Sequence, residues 1–150
     1  MRGKPLAMIL CFTLTLGALR VAAGQPVPQV GPPVREVKAT WTAFWTAVSL
    51  GDLKEARQYL HSRQRAGFPG KLMVEELKDL ADQMAYCRLD PTPFPLNMLG
   101  EEGVRQIPPE VLKNLDEVFY WVRCQYGDET ADSLVGVRRD LDGVWRLAIF

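Results

Sequence analysis

Between residues 34 and 84, apolar side chains recur at every third or fourth position, which is the period of amphipathic helices. The first stripe comprises Val37, Trp41, Phe44, Trp45 and Val48. Gly51 ends this helix, and Asp52 begins a second one, with Glu55 placed to complete a capping box. A third stripe follows over residues 71–84. The pattern therefore predicts three N-terminal helices.

From residue 118 onward the pattern changes to the alternation and the aromatic and β-branched composition of strands. The predicted strands are residues 85–89, 118–126, 133–139 and 144–150. Asp142-Gly143 marks a hairpin between the last two. A three-residue turn with a left-handed Gly143 places Val137 opposite Leu147 and gathers the apolar residues on one face, so we favour it over a two-residue turn.

This register divides the strand side chains between two faces of the predicted sheet. The inner set is Val118, Tyr120, Val122, Cys124, Val135, Val137, Trp145, Leu147 and Ile149. The outer set is Phe119, Trp121, Arg123, Leu134, Arg138, Arg146 and Phe150. The first set predicts a hydrophobic core, and the second an amphipathic surface.

Proline and glycine interrupt the long connection over residues 90–116, where the one helix signal is Pro108-Pro109-Glu110 leading into Val111-Leu112. Connections of this length are typically functional lids or disordered segments. The sequence leaves both interpretations open.

The N-terminus has the organisation of a secretory signal peptide over residues 1–23. Arg2 and Lys4 precede an apolar run, and Val21-Ala22-Ala23 supplies small residues before a cleavage point. The run is short for a bilayer span of about 20 residues. We interpret the chain as exported, either periplasmic or secreted. The alternative is an uncleaved N-terminal anchor, which Arg20 beside the cleavage region leaves open.

The Pro-rich residues 24–33 predict an extended linker outside the fold, followed by one domain over residues 34–150. Cleavage would leave 15 basic and 18 acidic residues, a net charge near −3, which argues against nucleic acid or an anionic membrane as partner.

In an oxidising compartment the two remaining cysteines, Cys87 and Cys124, favour one disulfide over two buried thiols.

Three short motifs carry a family resemblance. They are Ala39-x-x-x-Ala43-Phe44-Trp45-x-Ala47, Gly51-Asp52-Leu53-x-x-Ala56 and Asp142-Gly143-x-Trp145-Arg146-Leu147-Ala148. Together, over residues 34–150, they resemble the nuclear transport factor 2-like superfamily, in particular its exported members of unknown function. The resemblance implies an α+β fold in which N-terminal helices pack on a curved antiparallel sheet, a cone-shaped roll that encloses a pocket. The superfamily includes isomerases, dehydratases, polyketide cyclases and non-enzymatic binding or assembly modules, so fold alone does not fix function.

The predicted inner face contains no Asp, Glu or His, so it lacks the side chains that most often act as a general acid or base. We interpret Tyr120 as a core tyrosine with its hydroxyl at the rim, in preference to a catalytic donor. His61, the single histidine, is expected in a solvated loop. The sequence contains no glycine-rich phosphate loop and no metal-ligand spacing, so we predict no cofactor and no metal.

Trp41, Trp45, Tyr120 and Trp145 are the candidate residues for lining a pocket. The same spacing on a helix is more often plain core. We therefore expect an exported, non-enzymatic binding or assembly module whose partner is a small apolar ligand or an envelope protein. The alternative is a small-molecule pocket with isomerase- or dehydratase-like chemistry centred on Tyr120.

Phe119, Trp121, Leu134 and Phe150 are the candidate interface residues, because aromatic side chains interleaved with arginine are typical of interfaces. Several superfamily members dimerise through the sheet, so the resemblance implies a homodimer. The alternative is that residues 90–109 fold over this face and bury it.

The export hypothesis predicts that the protein isolated from its native cells begins near Gly24 or Gln25, because a signal peptidase cuts after small residues. N-terminal sequencing of the purified protein measures this directly. Soluble cytoplasmic protein that still carries Met1 would contradict export.

Overall fold

The computed structural model describes residues 26–94 and 96–149. The predicted signal segment and Phe150 lie outside this range. The elements in chain order are helices α1 (Val34–Ser49), α2 (Leu53–Gln58), α3 (Ser62–Arg65) and α4 (Val74–Met84), strand β1 (Cys87–Leu89), helices α5 (Leu96–Arg105) and α6 (Pro109–Lys113), and strands β2 (Glu117–Tyr126), β3 (Glu129–Arg139) and β4 (Trp145–Ala148). The described fold is α+β, with helices packed against a curved antiparallel sheet.

Helix α1 ends and α2 begins at the predicted residues, but the predicted capping box is only half formed, because the Glu55 carboxylate accepts hydrogen bonds from Gln58 and Tyr59. Gly51 has a φ of 73°, a left-handed conformation that glycine adopts without steric cost, and its N–H donates to Val48 O. The Asp52 carboxylate then accepts a hydrogen bond from the Glu55 N–H at 3.0 Å. This bond satisfies one of the free amides at the start of α2.

The sheet has the strand order β1-β2-β3-β4, and every neighbouring pair is antiparallel. Val137 lies opposite Leu147, and Asp140 and Val144 are joined by a backbone hydrogen bond across the turn. This confirms the three-residue turn. On β2, the inner residues are buried and the outer residues exposed in strict alternation from Val118 to Cys124.

The hydrophobic core lies between the inner face of the sheet and helices α1 and α4. Its fully buried side chains include Phe44, Leu60, Leu77, Tyr120 and Leu147. Burying each aliphatic or aromatic side chain of this kind contributes about 1.5–3 kcal/mol to folding. The predicted inner residues Trp145 and Ile149 are partly buried and pack against this core.

Residues 90–116 are more ordered than the sequence indicates. They include α5, which turns sharply at Gly100 (φ 67°, ψ 177°), and α6, and they contribute Val104 and Leu112 to the core. They are therefore neither a simple lid nor a structureless loop. Pro108-Pro109 starts α6, as the local signal predicts.

The prediction that residues 24–33 lie outside the fold is wrong for the part that the structure describes. Val30 is only 5% exposed and belongs to the core cluster, and Pro32 is also buried. Linker-like composition correctly indicated that residues 26–33 form no helix or strand, but it concealed that the side chains of Val30 and Pro32 are buried.

A disulfide joins Cys87 and Cys124, as predicted. The two residues are direct partners in the β1–β2 ladder, with Cα atoms 3.9 Å apart. The bond closes a chain separation of 37 residues and holds β1, which follows directly from α4, against β2.

Reduction of this disulfide should lower the free energy of unfolding by about 4 kcal/mol, because it frees the unfolded chain from a loop of this length. Denaturant titration with and without a thiol reductant measures the change. The Cys87→Ser/Cys124→Ser double variant is the control, since reductant should not affect it. Equal stability of the reduced and oxidised wild type would contradict the expectation.

Candidate functional site

Phe119, Trp121 and Leu134 form an apolar patch on the outer face of the sheet, here called the outer patch. Trp121 lies directly opposite Leu134 in the β2–β3 ladder, and Phe119 lies opposite Gly136. Phe119 and Trp121 are each 36% exposed, and Leu134 is 54% exposed. Three large apolar side chains therefore remain in partial contact with solvent on one continuous surface.

Charged side chains border the outer patch. Arg123 donates two hydrogen bonds to the Asp132 carboxylate across the strand pair, at 2.9 and 3.1 Å. These bonds raise the pKa of Arg123 and lower the pKa of Asp132. Arg88 lies opposite Arg123 on the other side, and a shallow groove of about 350 Å³ runs between Arg88 and Trp121.

The segment after β1 follows the edge of the sheet and does not cover the outer patch. The Asp90 N–H donates to Trp121 O at 2.8 Å, and the Phe94 N–H donates to Phe119 O at 2.7 Å. Phe94 itself is 46% exposed. The covered-face interpretation is therefore wrong for the described part of the segment, because the patch residues keep a third to a half of their exposure.

Tyr120 lies on the opposite, inner face, and its side chain is fully buried. Its hydroxyl has no hydrogen-bond partner among the described protein groups, and burial raises the pKa of Tyr120 to about 12. The expectation that this hydroxyl lies at a rim is wrong. No described carboxylate or imidazole is close enough to exchange a proton with it.

The three candidate tryptophans lie in two separate grooves. Trp41 and Trp45 contact each other edge to face, with ring centres 5.6 Å apart, and line a groove of about 360 Å³ beside α4. Trp145 lines a second groove of about 400 Å³ between α1 and the β3–β4 end of the sheet. The Arg139 guanidinium lies 4.9 Å from the centre of its ring. Tyr120 lines neither groove, so the structure does not unite the four candidates in one pocket.

A buried polar cluster around Asp140 has no counterpart in the sequence predictions. Asp140 accepts hydrogen bonds from the Ser62 N–H (3.0 Å), the Ser62 hydroxyl (2.8 Å), the Leu141 N–H (2.9 Å) and Arg146 (3.1 Å). His61 Nε2 lies 3.8 Å from the same carboxylate. Burial opposes ionisation of Asp140, but the bonds from Ser62 and Leu141 and the attraction of His61 outweigh it, so the pKa of Asp140 is well below its usual range.

The cluster fastens the segment after α2 to the edge of the sheet. The His61 N–H donates to Leu147 O, and the Leu147 N–H donates to Tyr59 O, both at 2.8 Å. His61 is consequently only 6% exposed, and its expected position in a solvated loop is wrong. Ser62 and Asp140 are 78 residues apart in the chain, so no local sequence motif predicts their contact.

Serine, histidine and aspartate meet here without the geometry of a nucleophilic triad. A triad needs the serine hydroxyl to donate to the imidazole. In this cluster the Ser62 hydroxyl donates to Asp140, and His61 Nδ1 accepts from the Arg63 N–H at 3.3 Å. The arrangement therefore stabilises the junction between the helices and β4 and does not activate Ser62.

Within residues 26–94 and 96–149, no group of three or more His, Cys, Asp or Glu side chains is arranged to hold a metal ion. None of the helices in the described ranges is long and apolar enough to cross a membrane. No protein-family model, curated protein or solved structure matches this chain. The superfamily resemblance stays a prediction, and functional inference depends on the geometry itself.

Replacing Asp140 with Asn should lower the free energy of unfolding at pH 7 by about 2 kcal/mol, because the charged hydrogen bonds from Ser62 and Arg146 are weakened. Since folding lowers the pKa of Asp140, its contribution is present above the unfolded value of about 3.9 and is lost as the pH falls below it.

Denaturant titrations between about pH 7 and pH 3 compare the two proteins. Asp140→Asn should lose less stability on acidification than the wild type does. Glu102→Gln, on the exposed pair with Arg105 away from the outer patch, is the matched control and should change stability little. Identical acid profiles for Asp140→Asn and the wild type would show that the cluster does not hold an ionised carboxylate.

Proposed function

We propose that this chain is an exported, non-enzymatic assembly module that pairs with a second copy of itself through the outer patch. The observation that carries the proposal is the partial exposure of Phe119, Trp121 and Leu134 side by side on a sheet whose other face carries the hydrophobic core. Contiguous aromatic and aliphatic surface of this kind is typical of interface cores.

The charges around the patch favour a copy of this chain over a strongly charged partner. Both signs surround it: Arg88, Arg123 and Arg138 among the bases, and Asp90, Glu117 and Asp132 among the acids. A twofold axis brings the same surface of each copy together, so an arginine of one copy can meet an acid of the other. A mixed-sign border suits such self-complementary contact.

The bidentate Arg123–Asp132 pair also supports the proposal, because it orders a side chain at the border of the outer patch in advance of association. Arg123 is held in one orientation before any partner arrives, which reduces the side-chain entropy that association would cost. The aromatic rings of Phe119 and Trp121 have few rotatable bonds and lose little freedom on burial.

An isomerase- or dehydratase-like activity at Tyr120 has weaker support. Such chemistry needs a base within hydrogen-bond reach of the substrate and a donor that the substrate can approach. The Tyr120 hydroxyl is fully buried, and none of the described protein groups lies within hydrogen-bond distance of it.

Export is part of the proposal. The basic start, the apolar run and the small residues before residue 24 support it from the sequence. The Cys87–Cys124 disulfide is compatible with it, because such bonds persist in oxidising compartments and are rare in the cytosol.

Trp121→Arg should convert a dimer into a folded monomer, because a charge replaces the largest apolar side chain at the centre of the contact. Light scattering at tens of micromolar measures the mass, and circular dichroism checks that the fold is unchanged. Leu141→Arg is the matched control: Leu141 is fully exposed at the β3–β4 turn, away from the patch. A monomeric wild type at this concentration would refute the proposed pairing.

A further inference from the structure

Strand β3 has an open edge over the half of its length that lies next to the β2–β3 turn, here called the open edge. The β3–β4 ladder covers only residues 136–139, whereas β3 begins at Glu129. Within residues 26–94 and 96–149, no strand or isolated bridge pairs with residues 129–135 on the side away from β2. The first six residues of β3 are all exposed.

The hydrogen bonds at the far end of β3 show which of its residues face away from β2. In an antiparallel sheet, the N–H and C=O of one residue are directed to the same neighbouring strand, and successive residues alternate between neighbours. The Arg139 N–H donates to Asp116 O on the β2 side, and the Asp140 N–H donates to Val144 O on the β4 side. Even-numbered residues of β3 therefore face away from β2.

Three residues of the open edge face outward in this way, namely Thr130, Asp132 and Leu134. Together they present three N–H donors and three C=O acceptors. In the part of the chain that the structure describes, no other group forms a hydrogen bond with these backbone atoms. The open edge is therefore a row of backbone groups to which an added strand could bond.

The open edge lacks the features that usually prevent strand addition. Native proteins protect edge strands with proline, lysine, bulges or very short strands. Residues 129–135 contain neither proline nor lysine, and their register with β2 is continuous. Asp132 is the one charged side chain over residues 130–135. Its bond to Arg123 of β2 draws the carboxylate toward β2 and away from the edge.

The charge at the turn indicates the chemistry of the strand that fits. Asp128 and Glu129 are exposed, and no described basic side chain forms an ion pair with either carboxylate. Lysine or arginine at this end of an added strand would therefore meet opposite charge.

A second copy of this chain fits the open edge poorly. Residues 128–135 carry three acidic side chains and no basic one: Asp128, Glu129 and Asp132. Pairing two identical edges would bring like charges together across the new ladder, which is destabilising. The favoured occupant is therefore a different chain.

We propose that the open edge is a docking site for an extended segment of a partner protein, which adds to the sheet as an antiparallel strand with lysine or arginine at its C-terminal end. Backbone hydrogen bonds to Thr130, Asp132 and Leu134 supply affinity, and the acidic turn selects the basic end. The antiparallel direction continues the pattern of the whole sheet and places the C-terminal end of the added strand beside Asp128 and Glu129. This site is separate from the outer patch and goes beyond the proposed self-association.

Amide hydrogen exchange, followed by NMR on the full chain, tests the proposal. The probe is the acetylated and amidated heptapeptide Thr-Val-Thr-Val-Thr-Lys-Arg. Without it, the N–H groups of Thr130, Asp132 and Leu134 should exchange faster than those of Ala131 and Ser133, which face β2. Peptide at about ten times its Kd should slow the exchange of the first three about tenfold. Unchanged exchange of these three groups at millimolar peptide would overturn the proposal.

Thr130→Pro tests the backbone contact, because it removes an outward N–H and leaves the bonds to β2 in place. Fluorescence anisotropy with labelled peptide should show binding weakened about tenfold. Thr130→Val, which retains the N–H, is the matched control and should bind as the wild type does. Equal affinity of the proline and valine variants would contradict strand addition. Since the exchange measurement uses the wild type, the test does not depend on folding of Thr130→Pro.

The acidic turn and the identity of the occupant have separate tests. Asp128→Asn/Glu129→Gln should weaken peptide binding about threefold and reduce its salt dependence, and unchanged binding would refute the role of the turn. Exchange at Thr130 that slows as protein concentration rises, without peptide, would assign the edge to a second copy and overturn the proposal. Trp121→Arg should bind the peptide as the wild type does, so failure of the outer-patch pairing and failure of this proposal are distinguishable.

Discussion

The antiparallel pairing of β2 with β3 is the constraint on which the rest of the structure depends. It runs from Glu117–Arg138 to Tyr126–Glu129 across a tight turn at Gly127-Asp128. Because side chains alternate between faces, a slip of one residue would exchange Tyr120 and Trp121 between the core and the solvent. The same parity turns Cys124 toward the core side, where Cys87 of β1 meets it. The core, the outer patch and the disulfide are therefore consequences of one register.

That register could be predicted from the sequence because it rests on local signals. The alternation from Val118 to Cys124 and the turn before Val144 act over a few residues, and both have a definite geometric meaning. The contact of Arg123 with Asp132 across the β2–β3 ladder is a consequence of the same register. The contacts that escaped prediction join distant parts of the chain. His61 and Asp140 lie far apart in sequence, and neither residue carries a signal that it will be buried against the other.

In two segments, proline-rich composition led to a prediction of too little burial, for the same physical reason. It disfavours regular hydrogen bonding, so the composition of residues 24–33 and 90–116 indicated loops. Burial depends on apolar side chains and not on backbone regularity, however, and Val30 and Val104 are both buried. Within the second segment, α5 tolerates its interruption because Gly100 adopts the positive φ of 67° that redirects the chain.

Two stretches of the sheet's edge are paired with other parts of the same chain. An open edge strand presents free N–H and C=O groups that invite another chain. Here residues 59–61 pair with Leu147 of β4, and the Asp140 cluster holds them in place. On the opposite side, Asp90 and Phe94 continue the pairing along β2 beyond the short β1. Because these backbone N–H and C=O groups are already hydrogen-bonded within the chain, a strand from another chain could form few new hydrogen bonds at either place. The outer patch still gains from burial of its side chains, and the register that built the core keeps those side chains turned outward.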